Sequence, residues 1–303
     1  MTRHAIIGFG EVGGIFARDL HAAGAPTITA YDVAGAARAR AEAQAGVAPC
    51  ASAAEAAAGA SIVWVSVTAG SVLEAVGALR GALGHGPFVV DVNSVSPGTK
   101  QAASRLVEGE GGRYVEAAVM TSVPPRGLRS PMLLGGPHAR AFIERVAPLG
   151  MDLTPFSDEV GGASSVKMCR SVMIKGLEAL AAECLLTAHH YGVADPVLAS
   201  LSDTFPGQDW TRLARYLIGR SLEHGRRRAE EVREVARTVE EAGVAPLMSR
   251  SIAERQDWAY RQGRRMNEAG RGATDLAAFL AAITRAAEQE PDGSPSPVPQ
   301  SAA

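Results

Sequence analysis

His4-Ala5-Ile6-Ile7-Gly8-Phe9-Gly10-Glu11-Val12-Gly13-Gly14 is the stretch whose reading decides the fold. His4 to Phe9 reads as a strand, and Glu11 to Ala23, rich in alanine, as a helix. A Gly-x-Gly-x-x-Gly pattern at a strand-to-helix turn has a physical meaning. Gly8 permits the tight turn, Gly10 lets backbone approach a pyrophosphate, and Gly13 lets helix pack close to strand. The helix N-terminus adds N–H donors and a partial positive charge. Phe9, Glu11 and Val12 complete the turn and are expected to line the cofactor with the glycines. Asp32 falls 19 residues after Gly13, at the end of a second strand, Thr27–Tyr31. A carboxylate there accepts hydrogen bonds from ribose hydroxyls and repels a 2′-phosphate, which favours NAD over NADP, although Arg38 and Arg40 lie nearby.

Outward from this turn, short apolar strands alternate with helical stretches. Ala34–Ala45 reads as a helix, and Ser61–Val67, Pro87–Asp91, Tyr114–Val119, Met132–Leu134 and Met151–Phe156 read as strands. Their apolar runs are continuous, so the expected fold class is α/β, a doubly wound, mainly parallel Rossmann domain over residues 1–160. Val67 and Thr68, ending the Ser61–Val67 strand, are expected on the cofactor. Beyond residue 160 strand signals stop. Ser164–Tyr191 keeps a helical period over 28 residues, about 42 Å of helix. Helices are further expected at Asp195–Leu201, Trp210–Glu223, Ala229–Ala242, Pro246–Gln262 and Thr274–Glu288. Residues 161–290 are therefore read as an all-α substrate and dimerisation domain, and proline-rich 291–303 as a disordered tail.

The chain has 303 residues, 47% hydrophobic and 20% charged, the balance of a folded soluble protein. A net charge of −2 does not mark a nucleic-acid binder, no apolar run is long enough to span a membrane, and no secretory leader precedes the first strand. Three scattered cysteines, Cys50, Cys169 and Cys184, suit a reducing cytoplasm and give no metal spacing. Of the 30 basic residues only Lys100, Lys167 and Lys175 are lysines. In an arginine-biased chain, lysine should persist where arginine cannot serve, as where a proton must leave.

Two further stretches carry candidate chemistry. Asp91-Val92-Asn93-Ser94-Val95-Ser96-Pro97 ends a strand and leads into a helix. Ser96 and Pro97 suit an N-cap and first helical position, which leaves Asn93 and Ser94 for the ligand crevice. On the long helix, Lys167, Ser171, Ile174 and Glu178 fall within roughly 60° of one another, flanked by Arg170 and Lys175, as on a helix bordering a cleft. His189-His190 point about 100° apart and make no metal site. Trp210, Tyr216, Trp258 and Tyr260 are expected in a core or dimer contact, and Arg226-Arg227-Arg228 with Glu230-Glu231 in a salt-bridged helix face.

Gly8–Gly14, Asp91–Pro97 and the Gly161–Ser171 stretch around Lys167 occur in the order found in the β-hydroxyacid dehydrogenase superfamily, which this chain resembles over residues 4 to about 285. That superfamily includes 3-hydroxyisobutyrate and 6-phosphogluconate dehydrogenases. The His224–Glu231 segment resembles a little-characterised branch. The resemblance implies a Rossmann domain, a long interdomain helix and a helical domain that builds a dimer. It implies that Lys167 is the acid/base on the reacting hydroxyl and that Ser94 lies near the nicotinamide. The chain departs from the family in three places. Arg170-Ser171 replace an Asn or His-Asn pair, Met120, Thr121 and Ser122 stand in the substrate loop, and Glu230 takes the place of a late basic residue.

The expected protein is an NAD-dependent oxidoreductase acting on a small hydroxy acid or sugar acid. Lys167 serves as general acid/base, and Ser94, Thr121 and Ser122 position the substrate. Arg170 or Lys175 meets its carboxylate or a phosphate. An imine or ketone reductase, and a nicotinamide-binding sensor without turnover, are the other readings. The expected partners are a small-molecule substrate and a second copy of the chain, without nucleic acid, membrane or metal.

Overall fold

The structure, a computed structural model, describes residues 2–289. The disordered tail read at 291–303 lies outside the described residues. By internal contacts the chain forms two compact units. One comprises the chain up to Val172 together with Arg233–Pro246, and the other comprises Met173–Val232 together with the chain from Leu247 onward. This differs from a single boundary at residue 161. The start of the long helix and a late segment, 233–246, both belong with the first unit.

The first unit alternates strand and helix: β1 (His4–Ile7), α1 (Glu11–Ala22), β2 (Ile28–Tyr31), α2 (Gly35–Ala43), β3 (Val47–Pro49), α3 (Ala53–Ala57), β4 (Ile62–Val65), α4 (Val72–Gly77), β5 (Phe88–Asp91), α5 (Pro97–Gly109), β6 (Arg113–Val119), β7 (Met132–Gly135), α6 (Ala139–Val146) and β8 (Leu153–Ser157). The strands make one eight-stranded sheet in the order β3-β2-β1-β4-β5-β6-β7-β8. Every pairing is parallel except β6 with β7. Short β3, beside β2, was not among the expected strands; it carries Pro49, and proline is tolerated in a sheet chiefly at an edge.

The continuous apolar strands are buried on both sides. Ile6, Trp64, Val90 and Val115 face a core shared with Phe16, Leu20 and Phe142. Their neighbours Ile7, Val63, Val65, Val89 and Tyr114 face a second core with Val76, Leu79 and Val107. Each fully buried large side chain of this kind contributes about 1.5–3 kcal/mol. From β1 the chain proceeds one way to β2 and β3, then returns to place β4 on the other side of β1. The carboxyl ends of β1 and β4 therefore part at a topological switch point, where open α/β sheets bind ligands.

The later helices are α7 (Gly162–His190), α8 (Ala194–Thr204), α9 (Trp210–Glu241), α10 (Leu247–Arg265), α11 (Glu268–Gly272) and α12 (Leu276–Glu288). The sequence reading placed two helices where α9 runs unbroken. Gly225, which lies between those two expected helices, is a packing residue: a Cβ there would stand 2.4 Å from the Gln256 carbonyl oxygen of α10. Trp210 and Trp258, partly buried, pack against the core of their own unit, with Leu185, Ile218, Phe279 and Ile283. Among the described residues no helix is long and apolar enough to cross a membrane.

Candidate active site

The β1–α1 turn is built as its glycines require. Gly8 has φ +93°, and a Cβ on it would stand 2.4 Å from Ser66 O; a Cβ on Gly13 would stand 2.1 Å from Gly8 O. Only glycine gives this turn its curvature and lets α1 approach β1 so closely. Gly10, by contrast, has open space where a Cβ would be, and no side chain caps α1. That combination fits a dinucleotide: N–H donors at a helix N-terminus and no side chain in the way.

Asp32 belongs to this turn. Its Oδ2 accepts the Phe9 N–H at 2.7 Å and its Oδ1 the Ala34 N–H at 2.8 Å. The Phe9 side chain, expected on the cofactor, is buried in the core beneath the turn, and its backbone N–H is held by Asp32. Exposed Glu11 and half-buried Val12 lie on the first turn of α1. The Arg38 guanidinium donates to the carbonyls of Asp32 and Val33, and that of Arg40 to the carbonyl of Phe9. Both arginines therefore border the carboxylate that was expected to exclude a 2′-phosphate. Past β4, Ser66 donates to Gly8 O at 2.8 Å, Val67 is half-buried, and exposed Thr68 shares a hydrogen bond with Ser71.

After β5 Asn93 has its side-chain nitrogen committed inside the protein. Its amide nitrogen donates to Asp91 Oδ1 at 2.6 Å and to Val65 O at 3.1 Å, and its backbone N–H also meets Asp91 Oδ1. Ser94, the next residue, is half-buried. The Asp91 carboxylate also takes the Tyr114 hydroxyl, at 2.8 Å, and Lys100 Nζ, at 3.0 Å, with Lys100 and Asp91 essentially sealed from solvent. Burial first, then the negative charge of Asp91 beside it, pushes the Tyr114 phenol far up, so it stays a donor. Ser96 and Pro97 start α5 as read, but two acids from the last turns of α9 complete the cap. Glu234 accepts from Ser96 N–H and Thr99 Oγ1, and Glu241 from Ser96 Oγ and Gly98 N–H.

Lys167 sits half-buried in the second turn of α7. The start of that helix is held by Glu116 of β6, a fully buried side chain that accepts the Gly161 N–H at 2.7 Å and the Ser164 N–H at 2.5 Å. One carboxylate on a helix N-cap and N3 nitrogen does the work of a capping box, here from a distant strand. Ser171 is buried and Arg170 exposed. Half-buried Met120 and exposed Thr121 and Ser122 form the loop after β6, with the Met120 N–H on Pro131 O. Lys175 departs from expectation. Its charge is matched inside the second unit by Glu231 at 2.9 Å, with its side chain 7% exposed. Arg228, expected in a salt-bridged face with Glu230 and Glu231, is instead buried and forked onto Glu178. Among the described residues no group of three or more His, Cys, Asp or Glu could hold a metal.

The family described as the NAD binding domain of 6-phosphogluconate dehydrogenase matches residues 3–148, and a domain of unknown function (DUF1932) matches residues 188–259. A solved conserved hypothetical protein from Sinorhizobium meliloti is 36% identical, covers 94% of this chain and 97% of its own, and superposes with a TM-score of 0.72. A second solved protein of unknown function, described as structurally similar to 3-hydroxyacid dehydrogenases, is 31% identical over 86% of this chain and 99% of its own, with a TM-score of 0.65. The chain belongs to the β-hydroxyacid dehydrogenase superfamily. It has the hydroxyacid dehydrogenase-like fold and an NAD(P)-binding domain. The superfamily's architecture extends beyond sequence likeness. The 3-hydroxyisobutyrate dehydrogenase of Mycobacterium tuberculosis, solved with L-serine, shares the fold with a TM-score of 0.67 at 19% identity, covering 93% of this chain and 99% of its own.

Proposed function

We propose that this chain is an NAD-dependent dehydrogenase that oxidises the hydroxyl of a small hydroxy acid or sugar acid, with Lys167 as general acid/base. The observation that supports the reading is the lysine's setting: of the three lysines, Lys100 and Lys175 are buried, and Lys167 is half-buried in the second turn of α7. Gly8–Gly13, Asp32, Val67, Thr68 and the Asn93–Ser94 turn would hold the dinucleotide. When bound, its nicotinamide supplies the hydride acceptor. The Lys167 amine takes the hydroxyl proton as the carbonyl forms and returns it in the reductive direction. Ser94, Thr121 and Ser122 orient the hydroxyl, and Arg170, exposed one turn along α7, is the cation for a substrate carboxylate.

A ketone or imine reductase on the same scaffold is favoured by one feature. The loop Thr121-Ser122-Val123-Pro124-Pro125 offers few backbone N–H groups with which to clamp a carboxylate. A panel of hydroxy acids and sugar acids assayed for NADH formation, beside ketones and imines assayed for its loss, separates the two. Turnover retained by Lys167→Ala would exclude the lysine mechanism. No turnover with any class, despite tight NADH binding, would favour the sensor.

We also propose that the protein is a homodimer joined through its second unit. Met173, Leu177 and Leu180 form an exposed apolar stripe on α7, 64%, 37% and 56% accessible, continued by Cys184. Leu247 and Met248 on α10 are exposed too. An apolar stripe of this kind on a helical unit commonly marks a contact with another chain.

A further inference from the structure

Asp91 and Glu116 are register partners in the parallel β5–β6 ladder. Both side chains are fully buried, and each serves a different part of the candidate site. Asp91 gathers the Asn93 N–H, the Asn93 amide, Lys100 and Tyr114, and so fixes the backbone leading into Ser94. Glu116 gathers the Gly161 and Ser164 N–H groups, and so fixes the start of the helix bearing Lys167. Tyr114 lies two residues before Glu116 on the same strand and ties Asp91 to β6. Burying two carboxylates is costly, and neither is needed to close the sheet, whose neighbouring positions are apolar. What both accomplish is local, since Asp91 locks the turn that follows its own strand and Glu116 locks the first turn of α7.

We propose that Asp91 and Glu116 are paired positioning residues, a cross-strand ruler that sets the Ser94 turn and the Lys167 side chain in register for the reaction. This rests on the reading of Ser94 as a nicotinamide contact and of Lys167 as the acid/base. The two arms are separable. Glu116 acts on Lys167 without touching the dinucleotide turn, and the Asp91 cluster acts on Ser94 without touching α7.

The scarcity of lysine supplies the readout. With Lys100 and Lys175 sealed, acetylation by acetic anhydride, read peptide by peptide in a mass spectrometer, reports on Lys167. NADH affinity is read by its fluorescence. Glu116→Gln should change the Lys167 acetylation rate at least about fivefold and leave the NADH Kd within about twofold. Tyr114→Phe should raise the NADH Kd about fivefold and leave Lys167 acetylation without cofactor within about twofold. Phe142→Leu, in the core on the other face of the sheet, controls for lost stability. The proposal is overturned if either variant moves both readouts together, or if Phe142→Leu at an equal drop in Tm reproduces the effects. Should wild type bind neither NADH nor NADPH, the dehydrogenase reading falls. The acetylation of Glu116→Gln against Phe142→Leu then still decides whether Glu116 positions Lys167.

Discussion

The Trp64 indole N–H donates to His4 Nδ1 at 3.3 Å, and the two rings stack inside the first unit with centroids 6.5 Å apart. Nδ1 is therefore the lone-pair nitrogen of a neutral imidazole. Burial first, then the nearby Arg145 cation, pushes His4 down to about 4. In the unfolded chain this histidine titrates near 6.5. Between those values the unfolded state binds the extra proton, so the contribution is complete above about 6.5 and is lost as pH falls toward 4. Urea unfolding should show wild type losing about 2 kcal/mol between pH 7 and 5 through this residue alone. His4→Gln, which keeps an acceptor for Trp64, should lose less over that interval. An equal loss in both proteins counts against the assignment.

Lys167→Arg tests the proton. A guanidinium keeps the charge and reach of lysine but does not release a proton near neutral pH. Turnover should fall by about 10²–10⁴ while NADH binds within a few-fold of wild type. Retention of more than half of wild-type kcat would defeat the acid/base role.

Asp32 should give NAD at least a tenfold advantage over NADP in kcat/KM. The guanidinium groups of Arg38 and Arg40 beside it are the reason to measure both cofactors. Equal values would mean that these arginines accept the 2′-phosphate.

Removing Lys175 should act on stability before it acts on substrate. Lys175→Met leaves Glu231, 20% exposed, without its 2.9 Å partner. Breaking a buried pair from one side costs about 3–5 kcal/mol, less here because Glu231 is partly wet and Arg227 lies 3.9 Å from it. Tm should therefore drop by several degrees, and adding Glu231→Gln should recover part of the loss. A raised substrate KM with unchanged Tm would return Lys175 to the binding site.

Light scattering at micromolar concentration should report a dimer, and Leu177→Glu with Leu180→Glu should yield a folded monomer. A wild-type monomer would contradict the assembly proposed for the second unit.

Much of the first unit was legible because its signals are local. Gly8, Gly10 and Gly13 lie within one turn, and a strand buried on both faces shows itself as an unbroken apolar run such as Ile62–Val65. What stayed hidden depends on residues far apart in the chain. Glu116 caps a helix by binding Gly161, 45 positions later, and nothing around it in sequence marks a cap. Glu234 reaches Ser96 across 138 positions. Gly225 lies between two stretches that read as separate helices, and what it packs against, the Gln256 backbone, is distant in sequence. Lysine scarcity pointed to all three lysines for one reason, and the structure gives two. Lys100 and Lys175 occupy cramped ion pairs that suit a compact ammonium, which leaves the proton argument to Lys167.

The late segment Arg233–Pro246 has a consequence for anyone who cuts this protein. The nucleotide-binding half is not a contiguous stretch of gene. Expressed as residues 1–172 alone, it would lose Glu234 and Glu241 and leave the Ser96, Gly98 and Thr99 end of α5 without its two acids. A faithful minimal version must graft the end of α9 back on. By the same logic, a chimera that exchanges the helical half between relatives must leave that segment with its original Rossmann partner.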